Sequence, residues 1–351
     1  MSDSNSQATY RILDASANRA GEGLRTMEEL SRFAIDDQEL SAEFKSLRHR
    51  LTTALARLSR QTMLAARDTE GDVGTEIRES TEYQRTNFSA VVAAAATRTQ
   101  QSLRVLEEYG KMIDPTMAGE VEQLRYRCYT AHARLELLLT RRESRDQLQA
   151  SCLYALVDAG ANQQSFCEHI EAIVEAGVDI VQLRDHSVDD RTLLTRARAG
   201  VEVTRRLGKL FVMNDRPDIA TAAGTDGVHV GQDEMPVAET RMIVGDHCLI
   251  GVSTHSIEQA REAVAGGADY IGCGPVFPGR TKTFDEYVGT DFLKQVSAEI
   301  NLPAFAIGGI ELANVDEVIA AGTRRIAVTG AIRDAEDPAG AAKQLRDKLT
   351  S

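Results

Sequence analysis

The sequence is poor in three features that identify whole classes of protein: paired cysteines, excess positive charge and long apolar runs. Its five cysteines are odd in number and scattered, without a CxxC pair, so neither a disulfide framework nor a zinc site is predicted. Unpaired cysteines are typical of a reducing compartment, and we expect a cytoplasmic protein. The net charge of −13 disfavours a nucleic-acid partner, because binding to a phosphate backbone requires local positive charge.

Neither a hydrophobic targeting segment nor a membrane segment is predicted. The first ten residues, MSDSNSQATY, lack the basic and apolar stretches of a signal peptide. No apolar run approaches the roughly 20 residues that a membrane-spanning helix needs, so no membrane partner is predicted. What remains is a chain of 351 residues, 42% hydrophobic, which suffices for two domains with buried cores. The sequence leaves undecided whether the chain forms a homo-oligomer.

Proline is almost absent from the first 147 residues, with Pro115 as the exception. Apolar residues recur in this segment at helical spacing, as at Leu24, Met27 and Leu30, and strand-like alternation is missing. We therefore predict an all-α helical domain over residues 1–147.

An internal repeat indicates how these helices pack. Residues 22–30, EGLRTMEEL, match residues 101–109, QSLRVLEEY. About twenty residues after each match comes a second pair of similar segments, KSLRHRL at 45–51 and EQLRYRC at 122–128. Two similar helical pairs predict a pseudo-symmetric bundle.

A polar break between helices, RDTEGDVGT at residues 67–75, is the candidate site of this domain. Its acids, glycines and threonine suit a nucleotide with its metal ion, because hard cations prefer carboxylate oxygens. It is not a Walker loop, since GxxxxGK[ST] is missing. An ordinary turn explains the composition equally well, and both interpretations stay open.

Residues 8–140 resemble a small helical module of thiamine biosynthesis. The resemblance is carried by RILDASANRAGEGLRTMEELSRF, by the RDTEGDVGT loop and by SLRVLEEYGK. It implies a hydroxymethylpyrimidine-phosphate kinase that uses ATP to make the diphosphate. The alternative is a non-catalytic dimerisation or docking module.

From Cys152 onwards, short apolar runs alternate with amphipathic helical stretches. Such strands indicate a parallel sheet with both faces covered. Eight strand–helix units predict a (β/α)8 TIM barrel over residues 148–351; an open doubly wound sheet is less favoured, because eight strands close a barrel. The sixth strand is predicted from Tyr270 to Phe277. The eight runs are CLYALVDAG, DIVQLRD, KLFVMND, GVHVGQD, LIGVSTH, YIGCGPVF, AFAIGGI and RIAVTGAI.

Polar or glycine residues follow nearly every predicted strand, and in a barrel the carboxyl ends of the strands meet at one mouth. Gly308-Gly309 and Thr329-Gly330 follow the last two strands, where this fold commonly binds a phosphate. Tight turns that need glycine are the alternative.

Charged and amide side chains occupy the other strand ends. Asp215 and Glu234 suit Mg²⁺, which takes one or two carboxylates and completes its shell with phosphate oxygens and water. Asp233 competes with Glu234 as a ligand, and helix capping by one of these acids is the alternative. Arg184 and Lys282 supply cations for a diphosphate, unless either forms only a surface salt bridge.

Two amides, Gln182 and Asn214, suit hydrogen bonds to a heteroaromatic ring or an ester oxygen, or else hold a loop. Three histidines near strand ends, His186, His229 and His255, are as easily explained as hydrogen-bonding scaffold residues. No Ser/His/Asp order of an acyl-transfer triad is present.

The second half of the chain resembles thiamine-phosphate synthase. The resemblance covers residues 153–350 and is carried by QLRDH, NDRPDIA, DGVHVGQDEMP, IGVSTHS, ADYIGCGPVFPGRTK and AIGGI. It implies a Mg²⁺-dependent condensation of hydroxymethylpyrimidine diphosphate with a carboxylated thiazole phosphate, giving thiamine phosphate, diphosphate and carbon dioxide. A thiazole tautomerase or a phosphosugar epimerase is the alternative, but neither needs a diphosphate clamp.

The resemblance also implies residue roles. Arg184, Ser253 and Lys282 would be catalytic, with Asp215 and Glu234 holding the metal. The pyrimidine diphosphate would contact Gln182, Arg184, His186, Asn214, Ser253 and Lys282, and the thiazole phosphate would contact Gly279, Arg280, Thr281, Gly309, Thr329 and Gly330.

Three positions depart from the family's commonest pattern. His186 stands where a lysine is usual, so the charge near the diphosphate becomes pH-dependent. Gly279 stands where a hydroxyl residue is usual, and we expect this to weaken one contact with the thiazole phosphate. Glu234 stands where aspartate is usual and moves the metal ligand by one methylene.

Overall fold

The computed structural model describes residues 3–69, 71–73, 85, 87–279 and 287–351. The chain forms two compact units, residues 1–140 and 141–351. The domain boundary that the sequence predicts, after residue 147, remains a prediction. None of the described helices is long and apolar enough to cross a membrane.

The first unit is helical, as predicted. Helix α1 continues into a π-helical turn, Ser31–Ile35, and Asp37 and Asn87 accept hydrogen bonds from the first turns of the helices that they precede. The α-helices are α1 Asp3–Leu30, α2 Gln38–Leu55, α3 Arg60–Ala66, α4 Phe88–Gly110 and α5 Pro115–Ala150, the last of which extends into the second unit.

The repeat in the sequence corresponds to a repeated ion pair. In α1, Glu28 accepts a hydrogen bond of 2.9 Å from Arg48 of α2. At the equivalent place in α4, Glu107 accepts one of 2.9 Å from Arg125 of α5. Both carboxylates are almost fully buried. Because a buried carboxylate is costly without a cation, the arginine from the second helix of each pair compensates the charge on the first helix.

The second unit is the predicted closed barrel of parallel strands, in which β1 pairs with both β2 and β8. Its strands are β1 Leu153–Val157, β2 Ile180–Leu183, β3 Leu210–Asn214, β4 Gly227–Val230, β5 Leu249–Thr254, β6 Tyr270–Cys273, β7 Ala304–Ile307 and β8 Ile326–Val328. Its helices are α6 Gln163–Glu175, α7 Asp190–Arg206, α8 Pro217–Ala223, α9 Val237–Val244, α10 Ile257–Ala265, α11 Gly289–Glu299, α12 Val315–Ala320, α13 Gly330–Arg333 and α14 Pro338–Thr350.

The prediction for β6 was wrong in its length. The strand ends at Cys273 and not at Phe277. Pro275 has no amide hydrogen to donate, so regular pairing stops. The amides of Val276 and Phe277 still donate to the carbonyls of Ile307 and Gly308, at 2.9 and 3.0 Å.

Strand residues alternate between two apolar layers, as the period of two requires. Residues such as Leu153, Ala155 and Val157 pack against the surrounding helices. The intervening residues fill the barrel interior. That interior cluster comprises Tyr154, Ile180, Leu210, Val212, Leu249, Tyr270, Phe305 and Ala327, with Leu148 at its edge.

Three aspartates fix strand register at the amino end of the barrel. Asp179, Asp226 and Asp269 directly precede β2, β4 and β6, and each accepts a backbone N–H bond from the strand before. For Asp269 the donor is Ile250, at 2.9 Å. Burial alone would raise the pKa of Asp269, but the Ile250 amide and the guanidinium of Arg141 together lower it.

Candidate active site

The carboxyl ends of the strands surround a cavity of about 350 Å³. Every candidate residue in the described part of the barrel contributes to its wall, except His186. Arg280, Thr281 and Lys282 lie outside the described residues. The candidates that line the cavity are Gln182, Arg184, Asn214, Asp215, Asp233, Glu234, Ser253, Gly279, Gly309, Thr329 and Gly330.

Asp215 is positioned by an unusual backbone conformation directly after β3. Its φ of 58° lies in the left-handed region, which Asp and Asn tolerate better than most residues. Its amide donates to the carbonyl of His229 at 2.8 Å, and the side-chain amide of Asn214 donates to its Oδ2 at 2.5 Å. Strained conformations of this kind often occur at functional sites.

The electrostatic environment of Asp215 is unfavourable to its charge. Burial and, second, repulsion by Glu234 raise the pKa of Asp215. His186 and Arg184 offset part of this effect, and the His186 Nε2 lies 3.9 Å from Oδ2 at the rim. Two carboxylates that repel each other beside a cavity form a site that a divalent cation would stabilise.

The carboxylate pair suits Mg²⁺ by its donor chemistry. Asp215 and Glu234 provide two hard oxygen ligands, the number that Mg²⁺ commonly takes from a protein. Among the described residues, no group of three or more histidine, cysteine or acidic side chains is arranged to hold a metal. Asp233 lines the same cavity, so both neighbouring acids stay candidates for the second ligand.

Arg184 is the cation of the described site. It follows β2, its side chain is exposed, and it lines the cavity. In the described part of the chain, its guanidinium has no hydrogen-bond or ion-pair partner. Its bidentate donors are therefore available to an anionic ligand.

A glycine turn forms the opposite wall of the cavity. Gly309 has a φ of 62°, and a Cβ at this position would lie 2.4 Å from the carbonyl oxygen of Pro278 and 2.6 Å from that of Phe277. Glycine is required there by both conformation and space. The turn is further held by Asn314, whose side-chain amide donates to the Gly309 carbonyl at 2.9 Å.

Sequence reasoning missed the two tyrosines that complete a polar floor of the cavity. Gln182 Nε2 donates to Tyr154 Oη at 2.8 Å, and Tyr154 Oη lies 3.0 Å from Tyr270 Oη. Tyr270 Oη lies 3.2 Å from His229 Nδ1, and His229 Nε2 lies 3.0 Å from Ser253 Oγ. We call these five side chains the relay.

The two tyrosines were hidden because they stand inside apolar runs. Tyr154 and Tyr270 each also pack edge-on against Phe305, with ring centroids 5.4 and 5.9 Å apart. A hydroxyl at an inward-facing strand position was the available signal, but it becomes informative only when the strand register is known.

The helical unit places its candidate loop against α1. Arg67 forms a two-pronged ion pair with Asp14, at 2.7 and 2.8 Å, and Arg11 donates to the Asp68 carbonyl at 2.8 Å. Part of the loop, including Glu70 and Thr75, lies outside the described residues. The described half is thus anchored to the helix by charge-assisted hydrogen bonds.

Two family models match the chain. Residues 153–332 match the family described as Thiamine monophosphate synthase, and residues 11–134 match the ThiD2 family. A thiamine-phosphate synthase of Rhodopirellula baltica is 50% identical over 95% of this chain and 90% of the relative. One of Thermosynechococcus vestitus is 42% identical over 99% of this chain and 97% of its own length.

A solved structure gives the same result for the barrel. The thiamine phosphate pyrophosphorylase of Pyrococcus furiosus is 32% identical, with a TM-score of 0.52. The match covers 59% of this chain and 97% of that one.

The raised pKa of Asp215 predicts a pH-dependent cost in stability. An unfolded aspartate has a pKa near 3.9, and the folded value is higher, so stability falls as pH rises between the two. Asp215→Asn, which also suits the left-handed backbone, should therefore raise the thermal unfolding temperature of the ligand-free protein at pH 7. The difference from wild type should shrink below pH 4.

Circular dichroism melts across this pH range measure the effect. Asp233→Asn is the control, since Asp233 is exposed, and its melting temperature should stay near that of wild type. A less stable Asp215→Asn protein at pH 7 would contradict the electrostatic account.

Proposed function

Because this chain belongs to the thiamine-phosphate synthase family of transferases, we propose that its barrel joins hydroxymethylpyrimidine diphosphate to a carboxylated thiazole phosphate. The products are thiamine phosphate, diphosphate and carbon dioxide. The observation that carries this proposal is the order of residues around the cavity wall. Arg184, Asp215 and Glu234 follow β2 to β4, and the Gly309 turn and Thr329–Gly330 follow β7 and β8.

The first side suits the leaving diphosphate. Arg184 would grip it bidentately, and the amide of Asn214 would donate to one of its oxygens. Lys282, which follows β6 in the sequence, would add a second cation. These groups stabilise negative charge as the bond between the pyrimidine methylene carbon and the diphosphate oxygen breaks, which is where charge develops in the reaction.

Asp215 and Glu234 would hold Mg²⁺ at this side. When bound, the ion neutralises charge on the departing diphosphate. The fit is supported by the raised pKa of Asp215, which results from burial and, second, from repulsion by Glu234. His186 at the rim brings a titratable group towards the same carboxylate.

The second side suits the phosphate of the acceptor. The Gly309 turn and the Thr329–Gly330 junction, where α13 begins, line the cavity, and their backbone N–H groups would donate to a phosphate there. Gly279 brings its backbone against Gly309: a Cβ there would lie 3.3 Å from the Gly309 nitrogen. Backbone donors would thus replace the hydroxyl that relatives commonly carry at Gly279.

Between the two sides, the reaction is a dissociative substitution. Diphosphate departs with the electron pair of the broken C–O bond, and the electron-rich aminopyrimidine stabilises the cation. The thiazole nitrogen, held close by its phosphate, then forms the new C–N bond. The thiazole carboxyl group leaves as carbon dioxide, its bonding electron pair stays on the ring carbon, and that carbon takes up a proton. Gln182 and Ser253 line the space between and would orient the pyrimidine ring.

The helical unit would supply the barrel's substrate. We infer that it transfers a phosphoryl group from ATP to hydroxymethylpyrimidine phosphate, because the match to the ThiD2 family spans residues 11–134. Its product would be the diphosphate that the barrel consumes. The alternative is a docking module without activity. A cytoplasmic location fits this biosynthetic role and stays a prediction.

Metal dependence tests the barrel proposal. Glu234→Gln in the full chain should lower the rate of thiamine phosphate formation by about 10²-fold at limiting Mg²⁺, because a charged ligand is lost. Asp233→Asn is the matched control and should keep a near wild-type rate.

The product is measured by oxidation to fluorescent thiochrome phosphate over a range of Mg²⁺ concentrations. The reverse ranking of the two variants would move the metal ligand to Asp233. Absence of product from the wild-type chain with both substrates and Mg²⁺ would refute the function itself.

A second assay separates kinase from docking module. The full chain carrying Asp215→Asn has an impaired barrel, so any pyrimidine diphosphate made by the helical unit should accumulate. With ATP, Mg²⁺ and hydroxymethylpyrimidine phosphate, ³¹P NMR should show ADP and the diphosphate in equal amounts. If ATP and the monophosphate persist unchanged, the docking interpretation is correct.

A further inference from the structure

The relay beneath the cavity is a continuous hydrogen-bonded series whose direction is set at one end. Gln182 contacts Tyr154 through its amide nitrogen, which is a donor only. Tyr154 Oη accepts that bond, and its own buried hydrogen still needs an acceptor. In the described part of the chain only Tyr270 Oη, 3.0 Å away, is within reach, so we assign the Tyr154 hydrogen to it. Tyr270 Oη is then also an acceptor, and its hydrogen goes to Nδ1 of His229.

The same reasoning continues to the cavity. A His229 whose Nδ1 accepts a hydrogen bond carries its proton on Nε2 when the ring is neutral. That Nε2–H donates to Ser253 Oγ at 3.0 Å. The Ser253 hydroxyl hydrogen therefore cannot point back to the histidine, and Ser253 Oγ has no other hydrogen-bond partner in the described part of the chain.

We propose that the relay is a positioning device for the transfer reaction: it holds His229 as the Nε2–H tautomer and thereby directs the Ser253 hydroxyl hydrogen into the cavity. Ser253 then acts towards the pyrimidine substrate as a hydrogen-bond donor, so the substrate atom it meets is an acceptor such as an unprotonated ring nitrogen. The identity of this substrate depends on the proposed function; the direction of the relay does not.

Burial protects the hydrogen bonds that select the His229 tautomer. Tyr154, Tyr270 and Gln182 are 2%, 1% and 3% exposed, so water has little access to their hydrogen bonds. Burial also lowers the pKa of His229 to about 4, which keeps the imidazole neutral near pH 7. A neutral imidazole must carry its proton on one nitrogen, and the relay decides which.

The neighbouring strand leaves room for this arrangement. A Cβ at Gly251 of β5 would lie 2.1 Å from the Tyr270 ring and 2.5 Å from His229 Nδ1. Glycine here lets the two rings approach each other above the strand, with centroids 5.5 Å apart. The contact between them is thus built into the packing of β4, β5 and β6.

Nitrogen NMR of the ligand-free, ¹⁵N-histidine-labelled full chain tests the proposal. For His229 we expect a protonated Nε2 and an unprotonated Nδ1, with signals assigned by their loss in His229→Asn. His255 is an internal control of the opposite kind, because its Nδ1 bonds the Gly274 carbonyl and so must be protonated. A protonated Nδ1 on His229 would mean that the relay runs the other way, which overturns the proposal.

Two variants connect the tautomer to catalysis. Tyr270→Phe removes the partner of Nδ1, and Tyr154→Phe separates Tyr270 from Gln182. Each should convert the His229 signals to a mixture of tautomers and lower kcat roughly two- to tenfold, as expected for one misdirected hydrogen bond.

Far-UV circular dichroism confirms that each variant is folded. A folded Tyr270→Phe protein with an unchanged His229 tautomer overturns the positioning role. Because the tautomer is read without substrate, an inactive wild-type chain with Nε2–H on His229 would refute the proposed function and leave the relay intact.

Discussion

The chemistry at the mouth of the barrel depends on the register in which its parallel strands pair. Asp179, Asp226 and Asp269 fix that register at the opposite end, each by accepting a backbone N–H bond from the preceding strand. A slip of one residue would exchange the interior and helix-facing layers, so that Tyr154 and Tyr270 would leave the cavity floor. Buried carboxylates far from the site therefore determine which side chains the substrates meet.

At the mouth of the barrel, Asp215 has two features that lower the stability of the ligand-free chain. Asp215 has a left-handed backbone conformation, and its charge is disfavoured by burial and by Glu234. Neither feature helps the ligand-free chain to fold, yet both suit the cation and polyanion that we propose bind there. The relay, in contrast, does not destabilise the chain, because its polar groups hydrogen-bond to one another and form a rigid floor.

The sequence predicted the barrel well because each strand is a short apolar run followed by polar or glycine residues at the mouth. It could not predict the early end of β6, since Val276 and Phe277 look like strand but follow Pro275. The relay and the register aspartates were missed for a shared reason: their roles depend on cross-strand neighbours. A Gly-x-Asp pattern before β2, β4 and β6 was a usable signal for the aspartates.

The division of the cavity between a diphosphate side and a phosphate side is tested most directly by a crystal structure with Mg²⁺, diphosphate and thiamine phosphate. The account predicts Mg²⁺ on Asp215 and Glu234, with diphosphate beside Arg184 and the thiamine phosphate group against the amides of Gly309 and Gly330. Diphosphate at the Gly309 turn, or Mg²⁺ away from Asp215, would contradict it.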